Sequence, residues 1–265
     1  MTRPIDNPPQ FHGYPLEHGP RTGETITFIH GGNMAGWTWD DQVQGLSGRH
    51  ILTPDMPGYG IHADHPLKSM RASADFLADI IRTHAVDGRS HIVGLSMGGF
   101  IATHLVAAYP DLVHSCIISG SALCGYSRKD YRHGALTLPL WTRRWFWSLQ
   151  ARTFGIANED KALFVDTCTA PSDLTNRRLG EEIRRNHLQE MTFAFDRPFL
   201  AVAAEYDLPS ISFSFEPLRN RLPHLHTWIA PGVHHAWCSE NPSLFTQMVA
   251  TFCDTGQWPA QLSDQ

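Results

Sequence analysis

Gly94-Leu95-Ser96-Met97-Gly98 is the segment whose residue types and spacing best fit covalent chemistry. A serine on a tight turn between a strand and a helix projects its hydroxyl toward a substrate. The residues two before and two after it must be small, because the backbones crowd there. Gly94 and Gly98 satisfy that need. The helix that follows would aim its free N–H groups at the site, which suits a developing negative charge. The five-residue pattern is short, so its context decides. An apolar run, His91-Ile92-Val93, stands before it, and an Ala-rich stretch from Phe100 to Tyr109 stands after it. Together they predict nucleophilic attack by Ser96 on a carbonyl carbon.

A serine hydroxyl is a weak nucleophile at neutral pH and needs a base beside it. The chain has 16 histidines, so histidine alone carries little information. The informative pair lies in Pro231-Gly232-Val233-His234-His235-Ala236-Trp237, a loop after the last predicted strand and before the last predicted helix. That loop falls at the same sheet edge as Ser96. His235 is the favoured base and His234 its rival. A base needs an orienting carboxylate. Asp207, in Ala204-Glu205-Tyr206-Asp207-Leu208-Pro209, lies past the end of the fifth predicted strand, where a side chain can turn inward. Glu205 competes for the role. The turn after the fourth predicted strand, 119–123, contains no acid.

The third requirement is a pair of donors for the carbonyl oxygen. His30-Gly31-Gly32 ends the first predicted core strand and precedes Asn33-Met34-Ala35-Gly36. The backbone N–H groups of Gly32 and Met97 can converge there as an oxyanion hole. His30, Asn33, Trp145, Leu208 and Trp237 are the candidate substrate-pocket residues.

These groups must be positioned by regular elements. Thr25–Ile29, His50–Thr53, His91–Val93, Ser115–Ile118, Phe199–Ala203 and the weaker Thr227–Ile229 read as short strands buried on both faces, as in a parallel sheet. Helical patterns fall between them. Ala72 to Thr83 carries Phe76, Leu77 and Ile80 at helical spacing, the run from Phe100 ends at Pro110, and Asn241-Pro242 opens a last helix, in keeping with proline as a helix breaker and an N-terminal residue. Such alternation predicts an α/β fold with helices on both faces of the sheet.

One region interrupts the alternation. From Cys124 to Asp196 the patterns are helical, with Trp141, Trp145, Phe146, Trp147, Leu149, Phe154, Leu163 and Phe164 as its apolar residues. A long connection between two core strands is usually a lid or a binding element. The predicted organisation is therefore a core of 1–123 and 197–265 with an inserted helical cap of 124–196. Trp141, Trp145 and Leu149, at four-residue steps, would share one face, either lining an apolar pocket or packing as the insertion's own core. The arginines at 143, 144, 177, 178, 184 and 185 make the insertion locally basic and read as a solvated helix face, with attraction of an anionic substrate as the other reading.

Composition narrows the class. With 42% apolar and 18% charged residues the chain is a globular protein, and its 265 residues can bury a core without staples. A net charge of -5 argues against nucleic acid as a partner. Five cysteines, an odd number without Cys-x-x-Cys spacing, argue against a disulfide framework or a zinc ribbon. A reducing, cytoplasmic setting is the simplest expectation. No signal peptide or apolar run of membrane-spanning length is seen. His62 and His65 have no acids at suitable spacing, so no metal and no cofactor is expected. A homodimer is compatible with the sequence.

Taken together, His30-Gly31-Gly32, Pro54-Asp55-Met56-Pro57-Gly58-Tyr59-Gly60, Gly94-Leu95-Ser96-Met97-Gly98-Gly99, Asp207 and His235-Ala236-Trp237 resemble the α/β-hydrolase superfamily in its single-domain form with a helical cap. The resemblance covers about 25–255. It implies a mostly parallel eight-stranded sheet, a nucleophile elbow, a Ser-His-Asp triad and a cap that roofs the pocket. Departures are His234 and Ala204, where the family often has Gly, and Ile61, where Ser is common. Met97 after the nucleophile looks like esterases, lactonases and carbon–carbon bond hydrolases of this group. The expectation is a serine hydrolase of a small ester, thioester or lactone. A carbon–carbon hydrolase or lyase, or a small-molecule receptor that keeps the triad, are the other activities the resemblance allows.

Overall fold

A computed structural model of the chain describes residues 15–153 and 161–259. Its centre is a sheet of seven strands among the described residues: β1 (Glu17–His18), β2 (Thr25–Ile29), β3 (Ile51–Leu52), β4 (Ser90–Leu95), β5 (Val113–Ser119), β6 (Phe199–Ala204) and β7 (Leu225–Ala230). The spatial order is β1-β3-β2-β4-β5-β6-β7. All pairs are parallel except β1 with β3, which is antiparallel. Seven strands replace the expected eight, and Phe154, expected in the inserted segment, lies outside the described residues. The chain leaves β2 for β3 on one side and returns to β4 on the other. That makes the crevice beyond the carboxyl ends of β2 and β4 the topological switch point, where open α/β sheets bind ligands.

The central strands are buried because both faces are covered, whereas β1 and β7, at the two edges of the sheet, are only half-buried and Ile229 of β7 is exposed, so the expected burial of Thr227–Ile229 on both faces does not hold. β2, β4 and β6 have no exposed residue. On one face lie α2 (Met70–His84) and α3 (Met97–Ala108), and on the other α1 (Asp40–Gly45) and α11 (Pro242–Thr255). The first layer packs Met70, Leu77, Ile81, Phe100, Ile101 and Leu105 against the sheet. The second packs Trp39, Trp237, Phe245, Met248, Val249 and Phe252. Local signals set the helix ends. Ser69 caps α2 by accepting from Ala72 N–H, and Asn241 caps α11 by accepting from Leu244 N–H, each satisfying an otherwise orphaned donor. Gly256 ends α11 in the left-handed conformation that glycine adopts without steric cost.

Between β5 and β6 the described chain is helical: α4 (Arg128–Thr137), α5 (Arg144–Thr153), α6 (Lys161–Thr169) and α7 (Asp173–Glu182). Phe146, Trp147, Phe164, Val165 and Cys168 form a separate apolar cluster that also takes in Met34 from the loop after β2. After β6 come the short helices α8 (Pro209–Ser212) and α9 (Phe215–Arg219), and α10 (Trp237–Glu240) follows β7.

Candidate active site

Ser96 sits between β4 and α3 with φ 53° and ψ -114°. Left-handed backbone is costly for a residue with a Cβ, and persists where the surrounding structure enforces it. Here the enforcement is visible. Ser96 N–H donates to Ser119 O at 2.7 Å, and Ser121 Oγ donates to Ser96 O at 2.7 Å. A Cβ on Gly94 would collide with the Gly98 carbonyl, and one on Gly98 with the Ile29 carbonyl. Both glycines are therefore required for β2, β4 and α3 to close around the serine.

The register of β2 and β4 places Ile29 beside Gly94, which brings the loop after β2 to Ser96. A Cβ on Gly31 would lie 3.7 Å from Ser96 Cβ. The N–H groups of Gly32 and of Met97, the first residue of α3, have no acceptor among the described residues. His30 holds this loop from below. Its Nδ1 donates to Gly31 O at 2.8 Å and its Nε2 accepts from Met56 N–H at 2.9 Å. Burial holds the His30 pKa below the ordinary histidine value, so the ring is neutral and can fill both roles. Asp55 braces the next turn, accepting from Gly36 N–H at 2.6 Å and Ile61 N–H at 2.9 Å.

Asp207 follows β6 and turns inward as expected. Its Oδ2 accepts from Ala204 N–H at 2.9 Å, and its Oδ1 accepts from His235 Nδ1 at 2.6 Å. The Asp207 side chain is 4% exposed and that of His235 is 40% exposed. With Nδ1 as donor, Nε2 keeps its lone pair. The rivals are engaged elsewhere. Glu205 accepts from Gly232 N–H at 2.6 Å, and His234 is an exposed residue held by Glu240 at 3.1 Å. No hydrogen bond joins Ser96 Oγ to His235 among the described residues. The two side chains face one cavity of about 300 Å³, and such bonds often tighten only when substrate is bound.

Core loops supply Gly31, Gly32, Asn33, Met34, Met97 and Leu208 to this cavity, and the segment between β5 and β6 supplies most of the rest. Asn33, at φ 58°, ties the two together. Its Nδ2 donates to Cys168 O at 3.0 Å and to Asn176 Oδ1 at 3.1 Å. Asn33 Oδ1 and Asn176 Nδ2 are buried with no partner among the described residues. Trp37 Nε1 donates to Thr167 Oγ1 at 2.9 Å, which adds a second tie.

Three expected pocket residues lie elsewhere. His30 is fully buried beneath the loop it braces. Trp237 is fully buried and donates from Nε1 to Ser119 Oγ at 2.9 Å, below the His235 loop. Trp145 points outward from α5 and is 60% exposed. Trp141, which the sequence offered as a pocket-lining residue, lines the cavity with Trp147, Tyr126, Asp130 and Tyr131, and the sequence pattern singled out none of these last four as lining. Among the described residues no group of side chains could hold a metal ion, and no helix is long and apolar enough to cross a membrane.

Comparison with known proteins agrees with this architecture. The model of the α/β-hydrolase fold matches residues 24–194. An AB hydrolase superfamily protein of Gibberella zeae is 41% identical over 106 residues, 39% of this chain and 37% of that protein. An esterase of Mycobacterium tuberculosis is 36% identical over 95 residues, 35% of this chain and 31% of that protein. A pimeloyl-[acyl-carrier protein] methyl ester esterase of Nitrosomonas europaea is 31% identical over 113 residues, 42% of this chain and 43% of that protein. The matched stretch thus spans less than half the length of these curated relatives. Among solved structures, a thermophilic esterase from Thermogutta terrifontis superposes with a TM-score of 0.72 at 21% identity, covering 91% of this chain and 92% of that one. The family model covers well over half of the chain, and the sheet order and elbow agree with it: the chain belongs to the α/β-hydrolase fold family.

Proposed function

We propose that the protein is a serine hydrolase of small carboxylic esters, thioesters or lactones, with Ser96 as nucleophile, His235 as base and Asp207 as its orienting acid. The observation that carries this reading is the 2.6 Å bond from His235 Nδ1 to Asp207 Oδ1, made by an imidazole that faces the same cavity as Ser96. Esterases among the relatives support the ester as substrate class. The segment 124–196 serves as the cap over the cavity.

The reaction follows from the geometry. Ser96 Oγ attacks the carbonyl carbon while His235 Nε2 takes the hydroxyl proton. Asp207 fixes the tautomer and stabilises the imidazolium that forms. The carbonyl oxygen, now negative, accepts from the free N–H groups of Gly32 and Met97. Collapse of the tetrahedral intermediate breaks the ester C–O bond, and His235 returns its proton to the leaving alcohol. Water then attacks the acyl-serine, with His235 again as base, and the acid is released as the Ser96 hydroxyl re-forms.

The test is active-site labelling with a fluorophosphonate, with the modified residue located by peptide mass spectrometry, beside a panel of short-chain, aryl and lactone esters. The expected result is a single adduct on Ser96 and its absence in Ser96→Ala, which also lowers kcat by about four to six powers of ten. Ester turnover that survives Ser96→Ala within tenfold would overturn the acyl-enzyme. Labelling of Ser96 without turnover of any ester would favour a receptor that keeps the triad.

A further inference from the structure

The cavity holding Ser96 and His235 is also lined by residues that the hydrolytic chemistry does not use. Asp130, in α4, lines it with Tyr126, Tyr131, Trp141 and Trp147. Both indole N–H groups are already committed: Trp141 Nε1 donates to Thr137 Oγ1 at 3.3 Å, and Trp147 Nε1 donates to Trp141 O at 2.6 Å. The tryptophans therefore offer carbon and π-electrons to a ligand, and no hydrogen-bond donor.

Asp130 is half-buried and accepts one hydrogen bond on its side chain, from Ser210 Oγ to Oδ2. No lysine, arginine or histidine forms an ion pair with it among the described residues. No lysine or arginine lines the cavity, and His235 is its sole basic side chain among the described residues. The guanidinium of Arg184 lies against the Tyr131 ring, 4.3 Å from its centroid. Burial, with the Asp207 and Asp130 carboxylates adding to it, raises the Tyr126 phenol well above its ordinary pKa. Tyr126 is thus a neutral hydroxyl within the field of both acids. Asp130 is the sole acidic side chain lining the cavity among the described residues.

A half-desolvated carboxylate without a counter-charge is costly. A cation at that place recovers a charge-assisted contact with Asp130 and attraction to the ring faces. A neutral group leaves the carboxylate unpaired, and an anion is repelled by it. We propose that this cavity selects substrates carrying a cationic nitrogen, a quaternary ammonium or a protonated amine, seated against Asp130 and the aromatic wall while the reacting carbonyl lies at Ser96. The placement of the carbonyl rests on the hydrolase reading above; the charge selection does not.

Two measurements separate the ideas. The first is binding, read by tryptophan fluorescence or calorimetry on the wild-type protein, of choline against its uncharged isostere 3,3-dimethylbutan-1-ol. The second is kcat/KM for matched esters with the charge on either side: butyrylcholine against 3,3-dimethylbutyl butyrate, and methyl 4-(trimethylammonio)butanoate against methyl 5,5-dimethylhexanoate. Choline is expected to bind at least about tenfold more tightly than the isostere. At least one cationic ester is expected to be preferred by a similar factor, and Asp130→Asn should bring both ratios close to one. Equal or weaker binding of choline overturns the proposal, as does a preference that survives Asp130→Asn. If that variant fails to fold by circular dichroism, the wild-type binding ratio decides. Hydrolysis of neutral esters without charge preference would sink this inference and leave the hydrolase reading standing. Selective choline binding with no ester turned over would do the reverse.

Discussion

Gly120 and the imidazole of His235 fit together with no space for a methyl group: a Cβ on Gly120 would lie 2.7 Å from His235 Cε1 and 3.0 Å from Nδ1. Gly120 directly follows β5 and has φ 72°. It donates its N–H to Val202 O at 3.0 Å, so it cannot retreat without loosening β5 from β6. The turn that contains no acid thus has a different task, which is to leave room for the His235 imidazole.

Gly120→Ala is therefore expected to displace the ring that faces Ser96. A misplacement of about 1 Å in such a site can cost about 100-fold in rate, so kcat should fall by about that factor. The left-handed backbone adds a loss of about 1 kcal/mol in stability. Steady-state kinetics and urea denaturation of the same preparation check both numbers. Wild-type kcat in a destabilised variant would show that the ring has room to shift harmlessly.

The two acids after β6 make contrasting predictions. Asp207→Asn keeps the shape but removes the charge that holds the His235 tautomer, and by analogy with serine proteases kcat should drop by about 10⁴. Glu205→Gln touches only the Gly232 N–H and is expected to change kcat by less than about tenfold. Measured on one ester at one pH, the reverse order would move the acid to Glu205.

The adjacent histidines separate in the same way. His235→Gln removes the proton acceptor and should reduce kcat by several powers of ten. His234→Gln loses an exposed contact with Glu240, and exposed ion pairs contribute about 1 kcal/mol or less. Its kcat is expected within about threefold of wild type. A large loss on His234→Gln, with the fold intact by circular dichroism, would reassign the base.

How far these positions could be read in advance depended on the range of the interaction that fixes them. The apolar runs of β2 to β7 are local and were legible, as were Ser96 between its glycines and the acid and histidine after β6 and β7. β1 was not, because Glu17 and His18 are polar and become a strand only by pairing with Leu52 and Ile51. The tryptophan stripe failed for a geometric reason. Trp141 lies before α5, which begins at Arg144, so the four-residue step from Trp141 to Trp145 is not a continuous helical phase. The helix instead turns Phe146 and Trp147 inward and Trp145 outward. His30 and Trp237 neighbour site residues along the chain, but their rings are committed to Met56 N–H and Ser119 Oγ. Gly120, Asn176 and Asp130 act through contacts with distant residues, which no local pattern encodes.

A last prediction concerns acid stability and lies away from the site. His104 in α3 and His187, in the turn before β6, form a buried pair with Nε2 of His104 and Nδ1 of His187 2.9 Å apart. His187 Nε2 donates to Glu182 O at 2.8 Å. Its Nδ1 is therefore the acceptor, and His104 Nε2 the donor, which requires the His187 ring to be neutral. Burial, and then His187, push the His104 pKa down to about 3, and burial lowers that of His187. The charged groups facing the pair are Arg71, Arg185, Glu182 and Glu190. In the unfolded chain a histidine takes up a proton below pH of about 6.5. Between that value and about 3 the unfolded state binds the extra proton at His104, so stability falls as pH falls through this window and is fully present above it. The loss between pH 7 and pH 4.5 attributable to His104 should be about 2 kcal/mol. His104→Gln keeps an N–H donor for His187 but cannot titrate, so its stability curve over that range should be flatter by about 1 kcal/mol or more. Urea denaturation followed by circular dichroism at several pH values measures the difference. Parallel curves for the two proteins would show that this pair is not a source of acid sensitivity.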